Sequence, residues 1–326
     1  MSFLYHEIVT INAETIRFGV VLPARNESET LPNLISEIQH SIEAEYPNSQ
    51  LEILVVDDGS SDDTLQTVPN RVTQSERFTL SFISFTRNFG KEAAMFAGLK
   101  HFSKDTTRIV IMDADGQHPV NEMLSMLGKS LDSGCCVVGV QDHSTNGLTY
   151  KWANKILHSA ISPAEGSSPT GTSDFRVLTN DAVVKFLALP ERSRFSRELF
   201  DFLGLPTIFY RYKVAPRIDG STSRWGKRNL FGYAITSITA RGSSVLPTLI
   251  LAASGVVSVV TVYAIVVSVI SVSRGEYSGT ASVLFALVMF QILQFIFLFF
   301  ISSIVVNILT ESKQRPLYIE QDSTNS

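Results

Sequence analysis

A chain of 326 residues with 44% hydrophobic and only 18% charged side chains is more apolar than an ordinary soluble domain. Its formal net charge of -4 leaves no basic excess to support a nucleic-acid partner. The apolar surplus lies towards the C-terminal end: no formally charged residue occurs between Arg241 and Arg274, or between Glu276 and Glu311, and each stretch exceeds the ~20 apolar residues that span a bilayer.

Residues 18–23 predict a first buried strand, followed by a polar turn and an amphipathic helix with Leu31, Leu34, Ile35, Ile38 and Ile42 at helical spacing. A second strand, 51–56, runs into the acidic turn Asp57-Asp58-Gly59-Ser60-Ser61-Asp62-Asp63-Thr64, where Ser61 or Asp62 could cap a helix. A third strand at 78–85 leads through Arg87-Asn88-Phe89-Gly90-Lys91 into another helix, and further strands are predicted at 108–112, 136–140 and 208–214. Strands alternating with helices predict a mostly parallel sheet covered on both faces, with the acidic turns after the second and fourth strands on one edge.

That fourth strand delivers Asp113-Ala114-Asp115-Gly116-Gln117-His118-Pro119. Two carboxylates one residue apart, followed by an amide oxygen, are hard ligands of the kind Mg²⁺ or Mn²⁺ takes together with substrate phosphates. The same tripeptide also suits an ordinary turn. Neither a G-x-G-x-x-G after the first strand nor a G-x-x-x-x-G-K-[ST] is present, so dinucleotide and P-loop readings lose their usual support. Asp174, in Gly171-Thr172-Ser173-Asp174-Phe175-Arg176, reads as a lone cap or turn acid.

Loops at 143–172 surround a helix expected at 150–161, and an amphipathic helix follows through Leu199, Phe200, Phe202 and Leu203. Arg211, Lys213, Arg217, Arg224, Lys227, Arg228 and Arg241 precede the first apolar stretch, and Lys313 and Arg315 follow the second. By the positive-inside tendency both ends of a membrane hairpin would be cytoplasmic. Adjacent Cys135 and Cys136 suit a reducing compartment, and the first sixteen residues lack the apolar core of a cleavable signal peptide.

Taken in order, Val21-Leu22-Pro23-Ala24-Arg25-Asn26-Glu27, Val55-Val56-Asp57-Asp58-Gly59-Ser60, Arg87 to Ala94, Asp113 to Pro119 and Ser173-Asp174-Phe175-Arg176 resemble the family-two inverting glycosyltransferases of the GT-A fold. Within them the chain looks like the polyprenyl-phosphate glycosyltransferases, the group of bactoprenol glucosyltransferases and dolichol-phosphate mannose synthase. The resemblance implies an α/β GT-A domain at 1–205 in the cytoplasm, a juxtamembrane acceptor-binding region at 206–243, a two-helix transmembrane hairpin at 244–310 and a cytoplasmic tail at 311–326. It implies an enzyme of the inner (cytoplasmic) membrane that moves a sugar, glucose first, from a UDP-sugar to polyprenyl (undecaprenyl) phosphate for envelope glycan modification.

By position, the resemblance places the nucleotide-sugar on Pro23, Arg25, Glu27, Asp57, Asp58, Gly90, Lys91, Asp113 and Ala114. It places Mg²⁺ or Mn²⁺ on Asp113, Asp115 and Gln117, catalysis on Asp174 and Asp115, and the acceptor phosphate on Arg217, Ser223 and Arg224. Arg25 stands where an aromatic residue is usual, and the loop after the fifth strand lacks arginines, for which Lys151 or Lys155 would compensate. GDP-mannose or a UDP-N-acetylhexosamine is an alternative donor. A processive synthase is disfavoured, because Ser221 occupies the Gln position of Q-x-x-R-W before Arg224-Trp225. A membrane scaffold with a degenerate transferase domain is the non-catalytic alternative, and pairing of the apolar spans would make a homo-oligomer.

Overall fold

The computed structural model describes residues 16–68, 75–102, 106–141, 169, 171–192, 194–214 and 279–321, with isolated positions between 258 and 274. Its centre is a seven-stranded sheet built from β1 (Arg17–Ala24), β2 (Gln50–Asp57), β3 (Phe78–Ser84), β4 (Arg108–Ile111), β5 (Cys136–Gln141), β6 (Thr172–Thr179) and β7 (Thr207–Tyr212), in the order β3-β2-β1-β4-β6-β5-β7. The β-branched runs of β1 and β2 are buried on both faces, the pattern of central parallel strands. Alternation sends Val20, Leu22, Ile53 and Val55 to one core, and Val21, Leu54 and Val56 to the other.

Two helices cover the first face. In α1 (Leu31–Glu45) the predicted stripe Leu31, Leu34, Ile35, Ile38 and Ile42 is buried, with Pro32 pre-shaping the first turn. In α4 (Val120–Ser133) Val120, Met123, Met126 and Leu127 are buried, and the helix ends on Gly134 in the left-handed conformation. A single turn, α2 (Thr64–Thr67), follows the acidic loop, and the Asp62 carboxylate accepts the Thr64 N–H at 3.1 Å.

On the second face lie α3 (Lys91–His101), α5 (Asn180–Ala188) and α6 (Ser196–Leu203). The buried side of α3 consists of Ala93, Ala94, Met95, Ala97, Gly98 and Leu99, small enough for the helix to sit close on β1. A Cβ at Gly98 would lie 2.3 Å from Val21 Cγ1, in a stiff, fully buried β-branched side chain. Gly98→Ala therefore loses about 1–2 kcal/mol net, because overpacking exceeds the gain in helix propensity. A fall of several degrees in Tm by scanning calorimetry checks it.

One strand departs from the expectation. Residues 172–179 form β6, which runs antiparallel to both β4 and β5 and separates them, so Asp174 is a strand residue and not a cap or turn acid. The remaining strands are mutually parallel. The sheet also continues past residue 205, since β7 pairs with β5 from Thr207 to Tyr212.

After this domain comes α7 (Gly279–Lys313), a 35-residue helix with no formally charged side chain from Gly279 to Thr310. Counting only described residues, no helix is long and apolar enough to cross a membrane. The complete sequence of α7, including positions whose side chains are not described, is nevertheless uncharged over a length that a span requires. The first apolar stretch lies largely outside the described residues. Beyond α7 the chain returns to the sheet: Thr86 N donates to Ile319 O at 3.0 Å, Gln321 N to Ser84 O at 2.8 Å, and Tyr318 stacks on Phe85 at 4.8 Å.

Candidate active site

Three turns at the carboxyl ends of β1, β2 and β3 are laced into one rim. Asn26 N donates to Ser60 Oγ at 2.9 Å, Ser61 N to Asn26 Oδ1 at 2.8 Å and Glu27 N to Thr64 Oγ1 at 3.0 Å, with Asn26 itself at φ 56°. Gly59 has φ 65°, and a Cβ there would meet the Arg87 carbonyl carbon at 2.5 Å, so only glycine lets the second and third turns touch.

Of the four acids in the second turn, Asp57 and Asp58 are buried, while Asp62 and Asp63 are exposed. Asp57 Oδ1 accepts the Ser60 N–H at 3.1 Å and the Ser60 hydroxyl, while Ser84 Oγ donates to its Oδ2 at 3.2 Å. Asp58 accepts from Phe89 N at 2.6 Å and from Gly90 N at 3.1 and 3.0 Å, and so holds the turn that starts α3. Burial pushes the Asp58 carboxyl up, against the pull of those amides and of Arg25. Removing this acceptor in Asp58→Ala strands two amides and costs about 2–3 kcal/mol. Faster amide exchange at Phe89 and Gly90, together with a lowered Tm, checks this prediction.

The anchored turn points Lys91 at the centre of the rim. Its Nζ lies 2.6 Å from Asp113 Oδ1 and donates to Asp174 Oδ2 at 2.9 Å. Two carboxylates meet there because β4 and β6 are antiparallel neighbours: Ile111 pairs with Arg176, so the residues two steps beyond each lie side by side. Alternation along β6 then separates two environments. Asp174 and Arg176 face α3 and α6, where Arg197 Nη2 is 3.8 Å from Asp174 Oδ1 and the Arg176 guanidinium lies 4.7 Å over the Phe200 ring.

Ser173 and Phe175 face the other way. Phe175 stacks on the buried His118 ring at 4.7 Å; His118 Nε2 is 3.5 Å from Asp113 Oδ2, and its Nδ1 is 2.9 Å from the Tyr212 hydroxyl. Asp113 is thus flanked by an ammonium on one side and an imidazole on the other.

The charges fix one another. Burial opposes ionisation of Asp113, yet Lys91 and His118 hold its carboxyl well below the ordinary range. Burial likewise opposes ionisation of Asp174, which Lys91 and Arg197 pull down. Lys91, disfavoured as a cation by burial, is held well above the usual lysine range by its two carboxylates.

Asp115 and Gln117 sit on the next turn, both half-buried, and Gln117 N donates to Asp115 Oδ1 at 3.1 Å. Among the described residues no three His, Cys, Asp or Glu side chains form a metal cage. A hard divalent cation bound through one or two carboxylates and substrate phosphates needs no such cage, and two carboxylates with one amide oxygen at a strand end fit it. Asp113 is already paired with Lys91 and His118, and Asp115 accepts the Gln117 N–H.

Of the residues expected to hold donor and metal, Gly90, Lys91, Asp113, Ala114, Asp115, Gln117 and Asp174 gather on this edge. Pro23, Arg25, Glu27, Asp57 and Asp58 line the adjoining rim, with Arg25 exposed. Arg217, Ser223, Arg224, Lys151 and Lys155 lie outside the described residues, as do the predicted helix at 150–161 and most of the 143–172 loops. The structure adds His118, Arg197 and Tyr212 to the site. His118 stood inside the acidic motif, but Arg197 and Tyr212 arrive from α6 and β7 and carried no local signal.

Comparison with known proteins agrees with this geometry. Residues 19–187 match the glycosyl transferase family 2 model. A prophage bactoprenol glucosyl transferase homolog of Escherichia coli (strain K12) is 33% identical over 232 residues, 69% of this chain and 72% of that protein. The bactoprenol glucosyl transferase of Shigella phage SfV is 29% identical over 311 residues, covering 93% and 98%. An undecaprenyl-phosphate 4-deoxy-4-formamido-L-arabinose transferase of Salmonella choleraesuis is 34% identical over 153 residues, covering 47% and 45%. With its GT-A-like, mostly parallel sheet and its acidic strand ends, the chain belongs to glycosyl transferase family 2 and is a glycosyltransferase.

Proposed function

We propose that this glycosyltransferase moves glucose from UDP-glucose to the phosphate of undecaprenyl phosphate at the cytoplasmic face of the inner membrane. The observation that carries the reading is the state of Asp174. Paired with Lys91 through one oxygen and facing Arg197 with the other, it is an anchored anion rather than a free proton acceptor. A sugar hydroxyl needs a base to become a nucleophile, whereas a phosphate monoester is already anionic at neutral pH. An Asp174 anchored in this way suits the second kind of acceptor, and the relatives' names point to the same one.

In this reading the acceptor oxygen attacks the anomeric carbon opposite the departing diphosphate, inverting its configuration. Asp174 stabilises positive charge developing at that carbon, and Lys91 keeps Asp174 and Asp113 from repelling the donor's diphosphate. Asp115, Asp113 and Gln117 are the residues that would hold Mg²⁺ or Mn²⁺, which when bound supplies charge neutralisation on the leaving group. Arg217, Ser223 and Arg224 are the proposed contacts to the acceptor phosphate.

Two membrane spans bring this site to its lipid. A 35-residue helix at 1.5 Å per residue is about 52 Å long, more than the ~30 Å hydrocarbon layer needs. The basic residues before the first stretch and after the second favour a cytoplasmic placement of both ends.

The test is a transfer assay with detergent-purified chain, UDP-[¹⁴C]glucose and Mg²⁺. Label extractable into chloroform that depends on added undecaprenyl phosphate supports the reading. Nucleotide binding without any extractable product contradicts it.

A further inference from the structure

The segment that leaves α7 encloses a second hollow beside the start of α3. Two adjoining cavities of about 420 and 480 Å³ share Arg192, Arg194, Pro316 and Leu317 in their walls. The larger sets Lys100, Arg192 and Arg194 against Glu191 and Glu320. In the smaller, Lys313 and Arg315 join Arg192 and Arg194, opposed by Glu92. Glu92 is already committed, since its Oε2 accepts the Ser196 N–H at 3.0 Å and the Ser196 hydroxyl, and burial pushes its carboxyl up. The smaller cavity therefore carries an excess of positive charge.

Arg194 is built into the wall rather than draped over it. It is 8% exposed, and its guanidinium lies 4.3 Å over Phe96 and 4.8 Å over Phe186. Nε donates to Glu191 O at 3.2 Å, and Nη2 to Phe186 O at 3.2 Å and Leu189 O at 2.8 Å. Nη1 is buried without a hydrogen-bond partner. With Nε and Nη2 bonded to carbonyls and Nη1 buried, Arg194 sets a fixed positive charge in the wall, while the exposed Arg315 offers a guanidinium fork that matches phosphate oxygens. The opposite wall is fixed as well: Arg192 N donates to Glu311 Oε1 at 2.8 Å, and Arg192 Nη1 to Arg315 O.

We propose that the smaller cavity binds a phosphate-bearing anion, attracted by the fixed charge of Arg194 and gripped by Arg192 from the transferase domain and by Lys313 and Arg315 from the tail. None of its lining residues is among those assigned to donor, metal or acceptor. It opens at the last residue of α7, so the headgroup of an anionic lipid and a free phosphate are both chemically suited to it. Occupancy would clamp the tail against the turn that opens α3, where Phe89 and, in the first turn of the helix, Glu92 share the cavity wall with the tail.

The test uses the full chain in nonionic detergent, titrated calorimetrically with inorganic phosphate and, separately, with dioctanoyl phosphatidylglycerol, with dioctanoyl phosphatidylcholine as reference. Arg194 also satisfies three backbone carbonyls, so its replacement risks unfolding. The deciding variant is therefore Arg192→Gln/Lys313→Gln/Arg315→Gln, whose positions are half-buried or exposed. Saturable binding that weakens at least about tenfold in the triple variant, with its ligand-free Tm unchanged, is the expected result. Response to inorganic phosphate would identify a free ion as the source, and response to phosphatidylglycerol alone a lipid headgroup. Equal affinity in the triple variant, no saturation by either anion, or equal binding of both lipids overturns the proposal.

Discussion

Asp115→Asn is expected to lower kcat by about 10²–10³-fold with the fold intact, because it removes a carboxylate that would hold the cation neutralising the leaving diphosphate. The substitution keeps an oxygen to accept the Gln117 N–H, so the turn retains its local bond. What disappears is one of the two carboxylates that would hold a hard cation; the other, Asp113, stays paired with Lys91 and His118. Initial rates at saturating donor and acceptor, with the Tm measured in parallel, check this. Turnover within about threefold of wild type would remove Asp115 from the chemistry.

Lys91→Met should be nearly as damaging to turnover, about 100-fold, and should also destabilise the protein. It leaves Asp113 and Asp174 facing each other without their shared cation. Orphaning a buried ion costs several kcal/mol, but Lys91 and Asp113 keep side-chain exposures of 36% and 32%, so about 1–3 kcal/mol is expected. The sign of the pH dependence follows from the direction of each shift. Asp113 and Asp174 are depressed in the folded protein, so their contribution is present above the ordinary carboxylate range, about pH 4, and is lost as pH falls through the folded values. Lys91 is raised, so its contribution is present below about pH 10 and is lost only above that. The Tm difference between wild type and variant is therefore largest between those limits and shrinks below about pH 4. A difference that grows on acidification would contradict the ion-pair account. Lys91→Arg, which keeps the charge but not the compact ammonium, should recover most of the stability and less of the rate.

The parallel half of the sheet was legible in the sequence because β1, β2 and β4 bury both faces, and their apolar runs stand out against the polar turns that follow. The helix α1 announced itself by spacing, and α6 did so through Leu199 and Phe200, whereas Phe202 of the expected apolar face is 73% exposed. β6 did not, because Asp174 and Arg176 occupy the face that an ordinary strand fills with apolar residues. Arg176 is only 3% exposed, so the site's own chemistry obscured the strand that carries it. Asp58 was legible as an acid at a strand end. Its structural bond to the start of α3 was not, since Phe89 and Gly90 lie some thirty residues away. Tyr212 and Arg197 were hidden for the same reason: they reach the site through tertiary packing, and nothing in their immediate neighbours marks them.

The measurement that bears most directly on the central claim is a donor screen with the intact chain in detergent. It is run with undecaprenyl phosphate and Mg²⁺ or Mn²⁺, and separately with chelator. UDP-glucose, UDP-galactose, UDP-N-acetylglucosamine and GDP-mannose are offered one at a time, and the lipid product is weighed by mass spectrometry. The account predicts undecaprenyl-phosphoglucose from UDP-glucose, abolished by chelator and by Asp115→Asn. Nucleotide binding with no glycolipid from any donor, or full turnover in the presence of chelator, would contradict it.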